Sequence, residues 1–385
     1  MNVLIITAVG GFLPKFLMQD VQLLKDRGHE VYYASNFDNP IYECDVDDLQ
    51  ARGISCYSIP IAKNPINIGA GVVAYKQVKK IVREKLIDVV YLHNPMGGVI
   101  GRLLTFFKKD LYVIYVGHGF HFYKNAPLIN WLLYYPVEKF LAKRTNQIIT
   151  INSEDLNIAR KFKLRQNGSV SLIPGVGLDE SRFAPNTECR EALRDEYGYE
   201  QDDFLFLSVG ELNANKNHQA IIKALARIDD EKVKLMICGE GDRHLELQSL
   251  INMLRLENRV KLWGYQTRIE DFYHMADCFM FPSKREGLGM ASIEAMSCGL
   301  PLIVSQNRGT KEYAMPGNSI VCKFDDVYAF VKAMKSVIND ADKRCKMGAS
   351  SIAISKRFYK SETRKIMEKV FEQMTFDIKA EQKQA

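Results

Sequence analysis

Short apolar runs alternate with stretches of helical spacing from the first residues onward. Val3–Thr7 reads as a strand, Phe12–Arg27 has helical spacing and stops at Gly28, and Glu30–Ala34 reads as the next strand. Further strands are predicted at Ser55–Ile59, Val89–Leu92, Tyr112–Val116 and Ile148–Ile151, with helices over Tyr75–Lys85 and about Asn130–Arg144. A second series begins at Phe204–Gly210. It continues with helix 217–228, strand Lys234–Gly239, helix 243–255, strand Val260–Trp263, helix 268–275, strand 278–281, helix 290–297 and strand 301–304. Strands alternating with helices predict parallel β-α-β units in doubly wound sheets, an α/β class. Between the two series the character changes at Ser171–Gly177, Pro185 and the polar Asn186–Arg190, which predicts a linker. The domains are therefore expected at 1–185 and 186–356. Ser355–Met374 is charged and helical, and the polar Asp377–Ala385 is expected to fray.

Length agrees with two domains, since 385 residues exceed what one core usually serves. The eight cysteines are scattered, without metal-ligand spacing or a disulfide framework, as in a reducing compartment. Met1 leads directly into Asn2–Thr7 with no basic leader, which predicts a cytoplasmic protein. The longest apolar run, around Leu128–Val137, is short and contains Asn130 and Pro136, so no bilayer span is expected. The net charge of +6 is concentrated. Residues 100–165 hold eleven Lys or Arg against four acids, interleaved with Phe106, Phe107, Phe120, Phe122, Trp131, Tyr134 and Tyr135. That pattern fits an anionic membrane surface, or equally a solvated face with its aromatics turned inward. No motif for nucleic acid accompanies it.

The densest chemistry lies in Pro282–Pro301. This stretch follows the apolar Cys278–Phe281, turns through Gly287 and Gly289, and resumes as a helix from about Met290. A strand, glycine turn and helix leave N–H groups at the helix N-terminus open to a phosphate. Glu286 sits in the loop and Glu294 about one turn into the helix, so the two carboxylates address different parts of one ligand. Two solvated carboxylates on a surface helix are the bland alternative. Embedded as Phe-Pro-Ser-x-x-Glu-Gly-Leu-Gly-x-x-x-Ile-Glu-Ala-Met-x-x-Gly-x-Pro, the pair resembles the E-x7-E motif of retaining glycosyltransferases of the GT-B fold, family 4.

The resemblance implies two Rossmann-like domains facing a cleft, an acceptor domain first and a nucleotide-sugar domain second. A C-terminal helix, about 357–376, would cross back to the first. It assigns Glu286 to the hydroxyls of the donor sugar, Glu294 to the ribose, and the amides of Gly287, Leu288 and Gly289 to phosphate. Lys216, in the Gly210 turn, would face the diphosphate; Glu211 replaces the family's usual arginine, leaving Lys284, Arg285 or Arg308 as the second cation. Gly10 and Gly11 match the loop facing the donor phosphates, because a Cβ there would block close approach. His118, between Gly117 and Gly119, matches the histidine that contacts the transferred sugar, with His121 the weaker candidate. Gly239 lies in the turn beneath the nucleotide, and Tyr265 in the loop near the base.

The expected substrates are a nucleotide-sugar, a UDP-sugar foremost, and a saccharide acceptor, lipid-linked at the inner face of the plasma membrane. Capsule, exopolysaccharide or O-antigen assembly is the implied setting. No metal or other cofactor is expected, and Asp45-Val46-Asp47 reads as a solvated acidic patch. The kinase P-loop, metalloprotease and hydrolase motifs are missing. The competing readings are a nucleotide-sugar 2-epimerase of the same fold and a two-lobed sugar-binding protein.

Overall fold

A computed structural model describes residues 1–38, 42–61 and 68–384. They divide into two compact units. One comprises Met1–Val176 with the C-terminal segment from Ser361, and the other Gly177–Lys360. The sequence pattern puts the corresponding divisions at 185/186 and about 356.

The first unit holds β1 (Asn2–Ile6), β2 (Glu30–Ser35), β3 (Ser55–Ser58), β4 (Val89–His93), β5 (Tyr112–Gly117), β6 (Gln147–Thr150) and β7 (Ser169–Leu172). They form one parallel sheet in the order β3-β2-β1-β4-β5-β6-β7. The second holds β8 (Phe204–Val209), β9 (Val233–Cys238), β10 (Val260–Gly264), β11 (Cys278–Phe281), β12 (Leu302–Ser305) and β13 (Ser319–Cys322). Their order is β10-β9-β8-β11-β12-β13, again all parallel. Every residue of β4, β5, β11 and β12 is buried, because helices cover both faces; this is why they read as unbroken apolar runs. Each sheet reverses its direction of growth beside its first strand, between β1 and β4 and between β8 and β11. Ligands of open α/β sheets bind at the carboxyl ends of the strands at such points.

The departures from the sequence pattern have local causes. The predicted linker at Ser171–Gly177 overlaps β7, a partly exposed edge strand, Ser-Val-Ser-Leu, with no apolar run to announce it. Phe12–Arg27 is two helices, Phe12–Phe16 and Met18–Asp26, broken at Leu17 (φ −118°). Helix Pro95–Leu103 is masked by glycines that weaken helix propensity but let it press on the sheet. A Cβ on Gly98 would lie 2.4 Å from Tyr115 Cε2, and one on Gly101 2.1 Å from Leu92 Cδ2. Beyond β12 the pattern also passes over β13 and helices Val327–Ile338 and Ala341–Ser355.

The last helix, Lys360–Gln384, belongs to the first unit, as the resemblance implies, but runs farther than predicted. Tyr112 Oη donates to Asp377 Oδ2 (2.7 Å), Gln147 Nε2 donates to Val370 O (3.1 Å), and Phe371 and Met374 are fully buried. Asp377 and Ile378 are thus anchored where polarity predicts fraying. Ala385 lies outside the described residues.

Candidate active site

In the second unit, the loops leaving β8 and β11 flank the switch point and are stitched together. Lys284 N donates to Asn215 O (2.8 Å), Asn215 Nδ2 to Arg285 O (2.9 Å), and Asn217 Nδ2 to Pro282 O (3.2 Å). Asn213 Oδ1 accepts the N–H groups of Asn215 and Lys216, closing the turn that aims Lys216. Lys216 Nζ lies 2.7 Å from Glu286 Oε1 and 4.9 Å from the centre of the Phe281 ring. Only 21% and 13% of the two side chains are exposed, so the pair feels a lower effective dielectric than an ion pair in water.

Backbone-to-backbone packing fixes the surrounding loops. Gly239 (φ +143°) approaches the turn after β8 so closely that a Cβ would sit 2.0 Å from Gly210 O, and its N–H donates to Gly264 O (2.7 Å). Gly289 (φ +99°) turns the chain into helix Met290–Ser297, which has no side-chain cap. Its first-turn N–H groups therefore receive no capping side chain. Glu294 Oε2 lies 2.8 Å from the Tyr273 hydroxyl, which is also 3.1 Å from Ala291 O. Burial, together with the Glu294 carboxylate, holds the Tyr273 hydroxyl well above its ordinary pKa, so it remains a donor.

The remaining predicted positions of this unit fall around the same loops. Leu288 is buried and Tyr265 is 61% exposed at the end of β10. Glu211 is exposed, turned out to water. Of the three candidate second cations, Lys284 and Arg285 are exposed, whereas Arg308 is buried and its Nε donates to Glu286 O (3.3 Å).

In the first unit, the ends of β1, β4 and β5 bring together Gly10–Gly11, His93 and His118. Buried Thr7 Oγ1 lies 2.9 Å from Tyr33 Oη and 2.8 Å from Ser35 Oγ, which shapes the loop after β1. Gly11 has φ +80°, and a Cβ there would lie 2.3 Å from Tyr42 O. Glycine is therefore required at position 11 by the protein's own backbone, independently of any phosphate. His118 Nε2 lies 3.0 Å from His93 Nδ1, the rings stacked at 28°, with Phe12 against both. Burial lowers the His118 pKa to about 4; burial and then His118 itself hold His93 well below the usual range. Both rings are neutral at neutral pH, one nitrogen of the pair donating and the other accepting.

His93 carries no motif; its one signal in the sequence is a polar residue closing the apolar run Val89–Leu92 at the carboxyl edge of the sheet. Behind it, Tyr91 packs at 4.4 Å and donates to Asp20 Oδ2 (2.8 Å), whose pKa burial raises to about 7. His121 stacks on Tyr134 (4.6 Å) and its carbonyl accepts from Asn130 Nδ2 (2.9 Å), so it braces the loop. Asp45 is a helix cap, its Oδ1 accepting from Asp48 N (3.0 Å) ahead of Val46–Ala51. Among the described residues, no three His, Cys, Asp or Glu side chains are grouped so as to share a metal ion.

Two parallel-sheet α/β units with the closing helix returned to the first are the architecture of the GT-B class. The solved structure of Anabaena HepE in complex with UDP matches with a TM-score of 0.79 at 19% identity, covering 97% of this chain and 100% of that one. Residues 190–353 match the family described as Glycosyl transferases group 1, and residues 5–152 that described as Glycosyl transferase 4-like. The putative glycosyltransferase EpsD of Bacillus subtilis is 34% identical over 345 residues, 88% of each chain. The UDP-Gal:alpha-D-GlcNAc-diphosphoundecaprenol alpha-1,3-galactosyltransferase of Escherichia coli is 25% identical over 329 residues, 84% of each. The chain belongs to the group 1, family 4-like glycosyltransferases.

Proposed function

We propose that this glycosyltransferase moves a hexose, with retention of anomeric configuration, from a UDP-sugar to a lipid-linked saccharide. The setting is assembly of a bacterial surface polysaccharide, capsule or exopolysaccharide, at the cytoplasmic face of the plasma membrane. The observation that carries this reading is the Lys216–Glu286 pair, 2.7 Å apart and set at the carboxyl ends of β8 and β11 beside an uncapped helix. A complex of a neighbouring fold with UDP, and a relative named for a UDP-Gal donor and a diphosphoundecaprenol acceptor, support the choice of substrates.

In the reaction the bond from the anomeric carbon to the diphosphate breaks and a bond to an acceptor oxygen forms, with loss of the acceptor proton. Positive charge develops on the sugar and negative charge on the departing nucleotide. We assign the diphosphate to Lys216, to the amides of Gly287, Leu288 and Gly289 and to the dipole of the helix that follows, with Arg308 as second cation. With Lys216, Arg308 and the amides assigned to the leaving group, this reading calls for no metal ion. Glu286 is assigned to the donor-sugar hydroxyls, Glu294 to the ribose and His118 to the transferred sugar. Gly210 and Gly239 line the nucleotide and Tyr265 approaches the base. Gly10 and Gly11 remain assigned to the donor loop, although Gly11 is also needed by the fold.

The test is a panel of UDP-sugars offered with and without an undecaprenyl-diphosphate-linked sugar, scoring UDP release and the anomeric proton coupling of the product. UDP release that depends on acceptor, with the donor's anomeric configuration kept, is the expected result. Inversion, or turnover to an epimerised sugar without acceptor, would overturn it.

A further inference from the structure

Helix Leu128–Ala142 of the first unit is built with its apolar side outward. Leu128, Ile129, Leu132, Leu133, Val137 and Phe140 are 44–74% exposed, and their spacing is that of one helical stripe. The inner face carries the polar anchors. Glu138 receives Arg102 Nη1 and Nη2 at 2.7 and 3.0 Å, and the guanidinium, fully buried, stacks 4.0 Å over Tyr115. Asn130 Nδ2 and Trp131 Nε1 donate to the carbonyls of His121 and Tyr123 (2.9 and 3.2 Å). A buried ion pair is costly to break by removing one partner, so the outward turn of the leucines is fixed rather than incidental.

The stripe continues onto a second element. Phe106 stacks 6.3 Å from Phe140 and stands with Phe107 exposed beside it. The surrounding cations are Lys79 over Phe107 (4.3 Å), Arg144 over Phe106 (4.1 Å), and the exposed Lys139 and Lys143 on and just after the helix itself. The aromatics that the sequence pattern offered to a membrane divide accordingly. Phe120 and Phe122 are core, stacked on each other, and the exposed face is mostly aliphatic. Apolar patches of this kind, rimmed by polar groups, mark interaction sites. No helix among the described residues is long and apolar enough to cross a membrane.

We propose that this face lies in the headgroup–acyl boundary of an anionic bilayer, the leucine stripe and Phe106–Phe107 inserted and the lysines and Arg144 on the phosphates. The proposal rests on the reading that the acceptor is membrane-borne, and extends it by naming the segment that inserts. Charge selects lipid over a second copy of the chain, because two such basic rims would repel each other. Insertion also differs from simple charge attraction in surviving salt, which screens the latter.

The experiment is co-sedimentation of the full chain with phosphatidylglycerol-containing vesicles and with phosphatidylcholine vesicles, at about 50 mM and about 500 mM NaCl. It compares wild type, Leu132→Glu/Leu133→Glu and Lys139→Glu/Lys143→Glu. Wild type is expected to bind the anionic vesicles at both salt concentrations. The leucine double variant should lose at least about 50-fold in partitioning, from the apolar area no longer transferred. The lysine variant should lose binding mainly on anionic lipid. Both pairs are exposed, so circular dichroism and Tm should stay as in wild type. UDP titration reads the second unit separately: its failure would fall on the transferase reading alone. Absence of wild-type sedimentation, an unchanged leucine variant, or a wild-type dimer that the leucine variant dissociates would each overturn the proposal.

Discussion

Replacing Lys216 by Met removes one charge and keeps most of the side-chain volume. The ammonium now lies 2.7 Å from Glu286, with 21% of the side chain exposed. At about 4 Å and an effective dielectric of about 20, one unit charge contributes about 4 kcal/mol to a second. A departing diphosphate at similar range draws on that interaction, while Glu286 competes for it, so about 2–4 kcal/mol of transition-state stabilisation is at stake. Turnover should therefore fall about 30- to 1,000-fold. Because the charge develops as the bond breaks, kcat should drop much more than KM rises. Steady-state UDP release, measured over a donor titration at saturating acceptor, separates the two constants. Glu211→Ala, at an exposed position in the same loop, should stay within about twofold, the range of a surface change. A Lys216→Met enzyme with wild-type kcat, or with only KM altered, would refute the assignment of its charge to the leaving group.

Glu294→Ala should weaken UDP binding about tenfold or more by calorimetry, since a charged hydrogen bond contributes about 1.5–3 kcal/mol; unchanged affinity would remove Glu294 from the ribose. Excess EDTA should leave turnover unchanged, and its loss, restored by a divalent cation, would contradict neutralisation by Lys216, Arg308 and the amides. Stability should rise with pH between about 4 and 6.5, with the sign set by five buried groups. Folded His118 and His218 titrate at about 4 and burial also lowers His93 and His29, so unfolding lets four imidazoles take up protons. Asp20, raised to about 7, holds a proton when folded that it releases on unfolding, which opposes the trend. A net uptake of up to three protons gives a slope of up to about 4 kcal/mol per pH unit. Urea unfolding should show it, and His218→Gln should reduce the slope by about a third. A flat or falling curve would refute the account of these groups.

Much of the fold is legible because central parallel strands are apolar throughout. Cys278–Phe281 was readable as a strand to the residue, and the glycine turn at 287–289 announced the helix after it. Elements that break the rule escaped: β7 has no apolar run, and helix Pro95–Leu103 owes its glycines to close packing on Tyr115 and Leu92. At the candidate site, the E-x7-E spacing pointed to Glu286 and Glu294, but three-dimensional neighbours were invisible. Lys216 and Glu286 are seventy residues apart in sequence yet paired, and Tyr273 reaches Glu294 from another helix. His93 became a candidate only once β4 and β5 placed it beside His118. Glycine at 11 is legible as a tight turn, but its packing on Tyr42, which fills the space a Cβ would need, is visible only in the fold. The apolar stripe on Leu128–Ala142 shows in the sequence only as length and hydrophobicity; its direction depends on Arg102 and Glu138, which only the fold brings together.

A crystal structure of the protein with UDP shows whether a nucleotide diphosphate sits on the strand-end loops of the second unit. The pyrophosphate should lie within hydrogen-bond distance of Lys216 Nζ and the amides of 287–290, with the ribose on Glu294. Nucleotide bound anywhere else, or a diphosphate in contact with neither Lys216 nor that turn, would contradict the account.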